Sequence, residues 1–542
     1  MHHRPALRRL PELLLLPLAL SLSACGGAPE PLDLLISGGT IVDGTGAAGF
    51  AGDVGIRDGR IVRVSREPLD ASAATRVIDA AGLVVAPGFI DLHAHLEPLP
   101  MLPGAESHVR QGVTTALGGP DGSSPWPVGE YLEERQANGV GMNIGILVGH
   151  NTIRREVMQA ADRAPTGEEL ARMEEMVARA MDEGAFGLST GLRYIPGAFA
   201  GTEEVVALAR VAGERGGIYT SHLRDEGFDL LEGVQEGIRI GAEAEIPVIL
   251  THHKVVGAPM WGSSAQTLAM IDSARAAGIQ VSADQYPYTA THTGISILIP
   301  SWALADGSDA LQRRLEDPVL RDSIRAGLLW NLVNDRGGND LSRVQFSSVS
   351  WDRSLEGQTL RDWAERDGLD TGIETGVELV LEAMRRGGAN AIFHVLDEED
   401  IERIMRHPET VPASDGRLSE PGVGHPHPRA YGTFPRVLGL YVRERGVLTL
   451  EDAVRKITSL AASRLGLQDR GTIAEGMWGD IAVFDPATVA DRSTFAEPHQ
   501  YPEGIPWVII NGVPAVADGV FMDLRPGTML RRPGSPAASI QP

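Results

Sequence analysis

The middle of the chain alternates two hydrophobic patterns. Short, nearly continuous apolar runs occupy residues 84–92, 113–117, 143–148, 186–190, 218–222, 248–252, 280–284 and 411–414. Between them lie longer segments, such as 168–182 and 202–214, whose apolar residues recur every three or four positions. The runs suit strands buried on both faces, and the wider spacing suits helices with one buried face. Their alternation predicts βα units and a parallel sheet. Eight such strands close an α/β fold of the (β/α)8, TIM-like barrel type. The interval from 284 to 411 is far too long for one connection. A helical pattern at 310–328 within it predicts an inserted helical lid around residues 295–400.

The ends of the chain have another texture. Residues 34–42 and 54–64 read as short strands, the second stretch folding back at Asp58-Gly59, a dipeptide suited to a tight hairpin. Residues 480–484 and 507–513 look the same. One small β-sandwich domain built from both ends (32–84 and 469–542) accounts for them and leaves 85–468 to the barrel. At the start, Arg4, Arg8 and Arg9 precede an apolar stretch at 13–22 that is too short to span a bilayer, so residues 1–24 read as a signal peptide. Leu22-Ser-Ala-Cys25 resembles a bacterial lipobox. That resemblance implies lipidation of Cys25, a tether at 25–31 and anchorage in the bacterial cell envelope on the periplasmic face; an ordinary signal peptide would give a secreted or periplasmic protein.

Composition narrows the chemistry. With 48 basic and 72 acidic residues the net charge is −24, which disfavours nucleic acid as a partner. A mean hydropathy of −0.06 argues against an integral membrane protein. A single cysteine rules out a disulfide framework and any cysteine-rich zinc module. Only two lysines occur, Lys254 and Lys456.

Polar residues collect where the predicted strands end, and barrel enzymes place their chemistry there. The first strand runs into Asp91-Leu-His93-Ala-His95, whose alternate residues face one way in extended chain. Asp121 follows the second strand, His222 closes the fifth, His252-His253-Lys254 follows the sixth and Ser414-Asp415-Gly416 the eighth. Singly, each has a bland explanation, a satisfied histidine or an Asp-Gly turn. Together, four histidines and two aspartates suit Zn²⁺ or a similar divalent ion.

The motifs resemble the amidohydrolase superfamily and, within it, the N-acyl-D-amino-acid deacylases (D-aminoacylases). The matching phrases include Gly88-Phe-Ile-Asp-Leu-His-Ala-His95, Gly187-Leu-Ser-Thr-Gly-Leu192, Ser221-His-Leu-Arg-Asp-Glu226, His252-His-Lys254, Asp284-Gln-Tyr-Pro-Tyr288 and His427-Pro-Arg-Ala-Tyr431. The resemblance implies that His93, His95, His222, His252 and Asp415 bind metal. It also implies hydrolysis of N-acyl-D-amino acids by metal-activated hydroxide, with Asp415 as general base and then acid. One position departs: these enzymes usually carry a metal-binding cysteine after the second strand, where this chain has Asp121. Others in the superfamily bridge two ions with a carbamylated lysine, but here the fourth strand ends in Ser189-Thr-Gly191. Asp121 is thus the candidate bridging ligand, and a carboxylate there tolerates Zn²⁺, Mn²⁺ or Co²⁺, one ion or two.

An amino-acid product needs a carboxylate clamp, and Arg429 matches the family's arginine for it. Tyr286 matches a substrate-site tyrosine; Tyr194 and Arg224 are further candidates. His425 has no counterpart in the motif, and His292 stands where a small hydroxyl side chain is expected. Two other readings remain: a related amidohydrolase acting on cyclic amides or dipeptides, and an inactive surface-tethered binding protein. Gly187-Leu-Ser189-Thr-Gly191 also fits G-x-S-x-G, but no helix start follows it, as a nucleophile elbow requires.

Overall fold

The computed structural model describes residues 1–2 and 31–536. Residues 3–30, with nearly all of the leader and Cys25, lie outside the described residues. Among the described residues no helix is long and apolar enough to cross a membrane.

Eight parallel strand positions form the barrel. Phe89–Asp91, Val113–Gly118 and Asn143–Ile146 pair in that order. The third strand continues as Val148–Gly149, which opens a second parallel run through Gly187–Gly191, Ile218–His222, Val248–Leu250, Val281–Gln285 and Thr410–Pro412. The ring closes between its first and last members. Asp91 Oδ1 accepts the N–H groups of His93 and Ser414, and Gly416–Arg417 pairs in parallel with Ala94–His95. Helices such as Gly167–Asp182, whose start is held by a reciprocal Thr166–Glu169 capping box, lie between the strands.

The predicted first strand, 84–92, is two strands with different partners. Val84–Pro87 joins a sheet with Leu32–Ile41 and Ile481–Phe484, and only Phe89–Asp91 enters the barrel. The break falls at Gly88, where a Cβ would sit 2.2 Å from the Thr114 side chain. The sheet therefore runs past the expected boundary at 84. It has nine strands drawn from both ends of the chain, with Ile36, Ile56, Ile78, Val85, Ile481 and Ile509 in its core. The hairpin at Asp58-Gly59 forms as expected, with φ of 51° and 74°.

The insertion is not all helical. Thr291–Gly294, Val344–Ser348 and Asn390–Phe393 form an antiparallel sheet. Four helices (Ser308–Glu316, Pro318–Asn334, Leu360–Arg366 and Ile373–Arg385) accompany it. The predicted helix at 310–328 breaks at Asp317, which caps the next helix while Pro318 supplies no N–H. Leu328, Phe346, Trp363, Val380 and Phe393 give this segment a core of its own, which Tyr286 and Tyr288 at the end of the seventh strand join.

Candidate metal centre and active site

Six side chains from five strand ends converge. Their donor atoms fall into two groups, His93, His95, Asp121 and Asp415 in one, Asp121, His222 and His252 in the other, with the donors of each group within 4.8 Å of one another. Asp121 belongs to both. Its Oδ1 lies 3.6 Å from His93 Nε2 and 3.4 Å from His252 Nε2. Its Oδ2 lies 3.6 Å from His95 Nε2 and 3.7 Å from His222 Nδ1. Asp415 Oδ1 stands 3.5 Å from His93 Nε2 and 3.2 Å from His95 Nε2.

These residues fit a metal. Ligands about 2.0–2.1 Å from a tetrahedral ion stand roughly 3.4 Å from one another, the spacing found here. Nor are the donors otherwise satisfied. His93 Nε2, His222 Nδ1, His252 Nε2 and Asp121 Oδ1 are buried without a hydrogen-bond partner among the described residues, a costly state unless a cation occupies the space between them. The field points the same way. Burial disfavours a charged His93, yet Asp121, Asp415 and Asp284 raise its pKa to about 10. Surroundings that favour a proton on that ring favour a cation beside it.

Three of the donors sit on strained backbone. Asp121, His252 and Asp415 have φ of 53°, 37° and 48°, a region that residues other than glycine rarely adopt. Each is held by its neighbours. Ser189 Oγ donates to Gly119 O and accepts the Gly122 N–H, clamping the turn that carries Asp121. That engagement is a scaffold role, consistent with the missing nucleophile elbow. Gly191 lets the turn approach, since a Cβ there would stand 2.3 Å from Asp121 O. The His252 N–H donates to Asp284 Oδ1 at 2.6 Å, and the Asp415 N–H to His93 O at 2.8 Å.

A further carboxylate stands behind each histidine. Asp284 Oδ2 lies 3.7 Å from His93 Nδ1, and Glu97 Oε1 bonds His95 Nδ1 at 3.0 Å. Glu226 serves the other pair, 3.0 Å from His252 Nδ1 and 3.6 Å from His222 Nε2. Such contacts fix which ring nitrogen faces the ion. Glu226 is 1 % exposed at its side chain and takes Lys254 Nζ and Arg336 Nη2 as partners. Burial pushes its pKa up, but Lys254 and the two histidines hold it well below the usual range.

The donor groups open into a cavity of about 750 Å³. Arg429 and Tyr286 line it, but Arg429 is not free: its Nη1 donates to Asp415 Oδ2 at 2.6 Å. Its guanidinium lies 4.7 Å from the centre of the Tyr286 ring, whose buried hydroxyl has no partner among the described residues. Burial would raise the Asp415 carboxyl, and Arg429 and His93 hold it far below the carboxylate range. Tyr194 also lines the cavity, its ring 4.4 Å from that of His222 and its hydroxyl accepting from Thr293. His292 bonds Ser347 Oγ, and burial with the nearby Arg429 pushes its pKa down to about 3, so the ring is neutral. His425 lines the cavity with its Nε2 on Phe495 O.

Arg224 belongs elsewhere. Its guanidinium grips both oxygens of Glu236 at 2.9 Å and reaches Ala198 O and Ala200 O, outside the cavity lining. It ties a loop to a helix, away from the cavity where a substrate contact was expected of it.

The profile of the amidohydrolase family matches residues 76–259 and 357–516, more than half of the chain. The chain belongs to the amidohydrolase family. A D-aminoacylase of Alcaligenes xylosoxydans xylosoxydans is 37 % identical over 93 % of this amidohydrolase and 98 % of its own length. An N-acyl-D-glutamate deacylase of the same organism is 38 % identical over 94 % and 99 %. The crystal structure of an N-acyl-D-glutamate deacylase from Bordetella bronchiseptica, complexed with zinc and a phosphonate mimic of the tetrahedral intermediate, superposes with a TM-score of 0.78 at 36 % identity, covering 93 % of this chain and all of that one.

Four residues of the amidohydrolase site carried no functional assignment in the sequence. Glu97 follows His95 by two residues, Glu226 lies in the Ser221–Glu226 motif four residues after His222, and Asp284 lies in the seventh strand, Val281–Gln285. These positions were visible; what they touch was not. Arg336 comes from the insertion and had no local signal.

Proposed function

We propose that this amidohydrolase cleaves the amide bond of N-acyl-D-amino acids, releasing a carboxylate and a free D-amino acid. The observation that carries the reading is the meeting of two donor groups at Asp121, beside an Asp415–Arg429 pair, at the floor of one cavity. His93, His95, Asp121 and Asp415 would hold one divalent ion, and Asp121, His222 and His252 a second. Zn²⁺ suits the set, and carboxylate ligation leaves Mn²⁺ and Co²⁺ open. When bound, such an ion polarises a carbonyl and lowers the pKa of water from about 15.7 towards 7.

The chain's own groups do the rest. Asp415 Oδ1 accepts a proton from the attacking water, then delivers it to the leaving nitrogen as the C–N bond breaks. Arg429 Nη1 keeps Oδ2 engaged and so holds the carboxylate in place. The remaining N–H groups of Arg429, with the unpartnered hydroxyl of Tyr286, are left to take the carboxylate of the amino-acid half. Tyr194 packs on His222 and meets Thr293 of the insertion.

The finer architecture supports this reading. The inserted segment serves as a lid, since Thr291 and His292 line the cavity and Arg336 reaches Glu226. The composite sheet, a single sheet of nine strands, stands where the β-sandwich domain is expected. The leader, with Cys25 after a short apolar stretch, supports export and lipid anchorage in the cell envelope.

A panel of N-acetyl-D- and N-acetyl-L-amino acids, assayed with metal content measured on the same preparation, tests the function. Chelator-sensitive hydrolysis confined to D-substrates is expected. Equal rates on both enantiomers, or turnover only of hydantoins or dihydropyrimidines, would refute it. Metal far below one ion per chain with no hydrolysis would favour an inactive binding protein.

A further inference from the structure

The cavity has two unlike flanks. One is polar and comes from the insertion, with Thr291, His292, Ser347 and Asn390. The other comes from the turns after the first and eighth strands and carries Pro98, Met101, Leu102, Leu418 and Val423. Met101 and Val423 are 74 % and 57 % exposed, large apolar groups held in water at the mouth of a catalytic cavity. They stand on ordered turns. The N–H groups of Met101 and Leu102 donate to Pro98 O, Leu418 N–H donates to His95 O, and Arg417 pairs with Glu97 at 2.8 Å across the two turns. That last pair also cancels two of the rim charges.

Asp415 tells which half of the substrate meets which flank. Its Oδ2 holds Arg429, whose Nη2 points to His292 O, while its Oδ1 faces His95. A carboxylate taken by Arg429 puts the α-carbon and its side chain against the insertion. The acyl group, on the far side of the scissile bond, then lies towards His95 and the apolar turns.

Resting on the deacylase reading, we propose that the flank formed by Pro98, Met101, Leu102, Leu418 and Val423 is an acyl subsite for an extended apolar acyl chain, so that the substrates are N-acyl-D-amino acids with acyl groups well beyond acetyl. An acetyl group ends at the metal centre and leaves this flank wet, whereas each methylene laid on it gains up to about fourfold in kcat/KM, the equivalent of about 0.8 kcal/mol for full burial.

The test is a series of one D-amino acid carrying N-acetyl, N-butanoyl, N-hexanoyl, N-octanoyl and N-decanoyl groups, assayed on the metal-loaded enzyme. The octanoyl-to-acetyl ratio of kcat/KM is expected to exceed ten. It should fall at least fivefold in Met101→Ser combined with Val423→Ser, and by less in either single variant; both sites are on the surface, so folding is not at risk. A ratio at or below one, or a ratio the variants leave unchanged, overturns the subsite while the deacylase reading stands. No hydrolysis at any chain length removes both.

Discussion

The two donor groups share one carboxylate yet are built differently. The group of His93, His95 and Asp415 opens to the cavity through His95 and Asp415, with His93 buried beneath them. His95 is 24 % exposed at its side chain, and the Glu97 behind it is 43 % exposed. The group of His222 and His252 lines the same cavity but is the more sealed of the two, at 4 % and 2 %, and Glu226 behind it is fixed by two buried cations, Lys254 and Arg336. Burial without neutralisation would make such a carboxylate unstable, so the cations are the condition for placing it there. The open group has the more exposed histidine and Asp415, the base of the proposed mechanism. The sealed group has rigidity. Under the proposed function, the contrast gives chemistry to the first and support of Asp121 to the second.

The largest effect should come from the open group. Asp415→Asn keeps the shape and the Arg429 contact but removes the proposed base, and kcat should fall by about 10³ or more, with the thermal transition little changed. A loss within about tenfold, roughly 1.4 kcal/mol of barrier, would take the base role away from Asp415. Next, Asp121→Ala removes the only ligand common to both groups. Metal bound per chain should drop for both, whereas His222→Ala should empty only the sealed group and leave much of the activity. Equal metal loss in the two variants, measured by elemental analysis, would mean that Asp121 does not join the groups.

That division was partly visible in the chain itself. The barrel strands are short and apolar, and their polar ends carry histidines in local patterns, so all six donors could be named before their geometry was known. Asp121 stood out because an expected cysteine was missing. The insertion was harder. Its three strands have four or five residues each and pair over long separations, which leaves no periodicity to read. Arg336 lies 110 residues from Glu226, and nothing near either one announces the contact. Arg224 shows the opposite case: a suggestive motif position whose guanidinium is shared between Glu236 on the following helix and two backbone carbonyls.

Smaller effects test the support. Glu226→Gln leaves buried Lys254 without its paired carboxylate and Arg336 with only the neighbouring Asp335, at a cost of about 3–5 kcal/mol in stability. It also frees the outward nitrogens of His222 and His252, so metal affinity of the sealed group should fall about 10–100-fold. Arg336→Gln keeps Glu226 and Lys254 paired, and its effect on metal affinity should be under tenfold. If Arg336→Gln matched Glu226→Gln in a competition titration with a chelator, the insertion, not Glu226, would be setting the sealed group. Smallest of all in catalysis is Arg224→Ala. It removes a partly exposed ion pair and two backbone contacts outside the cavity, so kcat/KM should stay within about twofold while stability drops by about 1 kcal/mol. A large loss of kcat/KM at unchanged stability would return Arg224 to the substrate and undo the assignment of the sealed side to support alone.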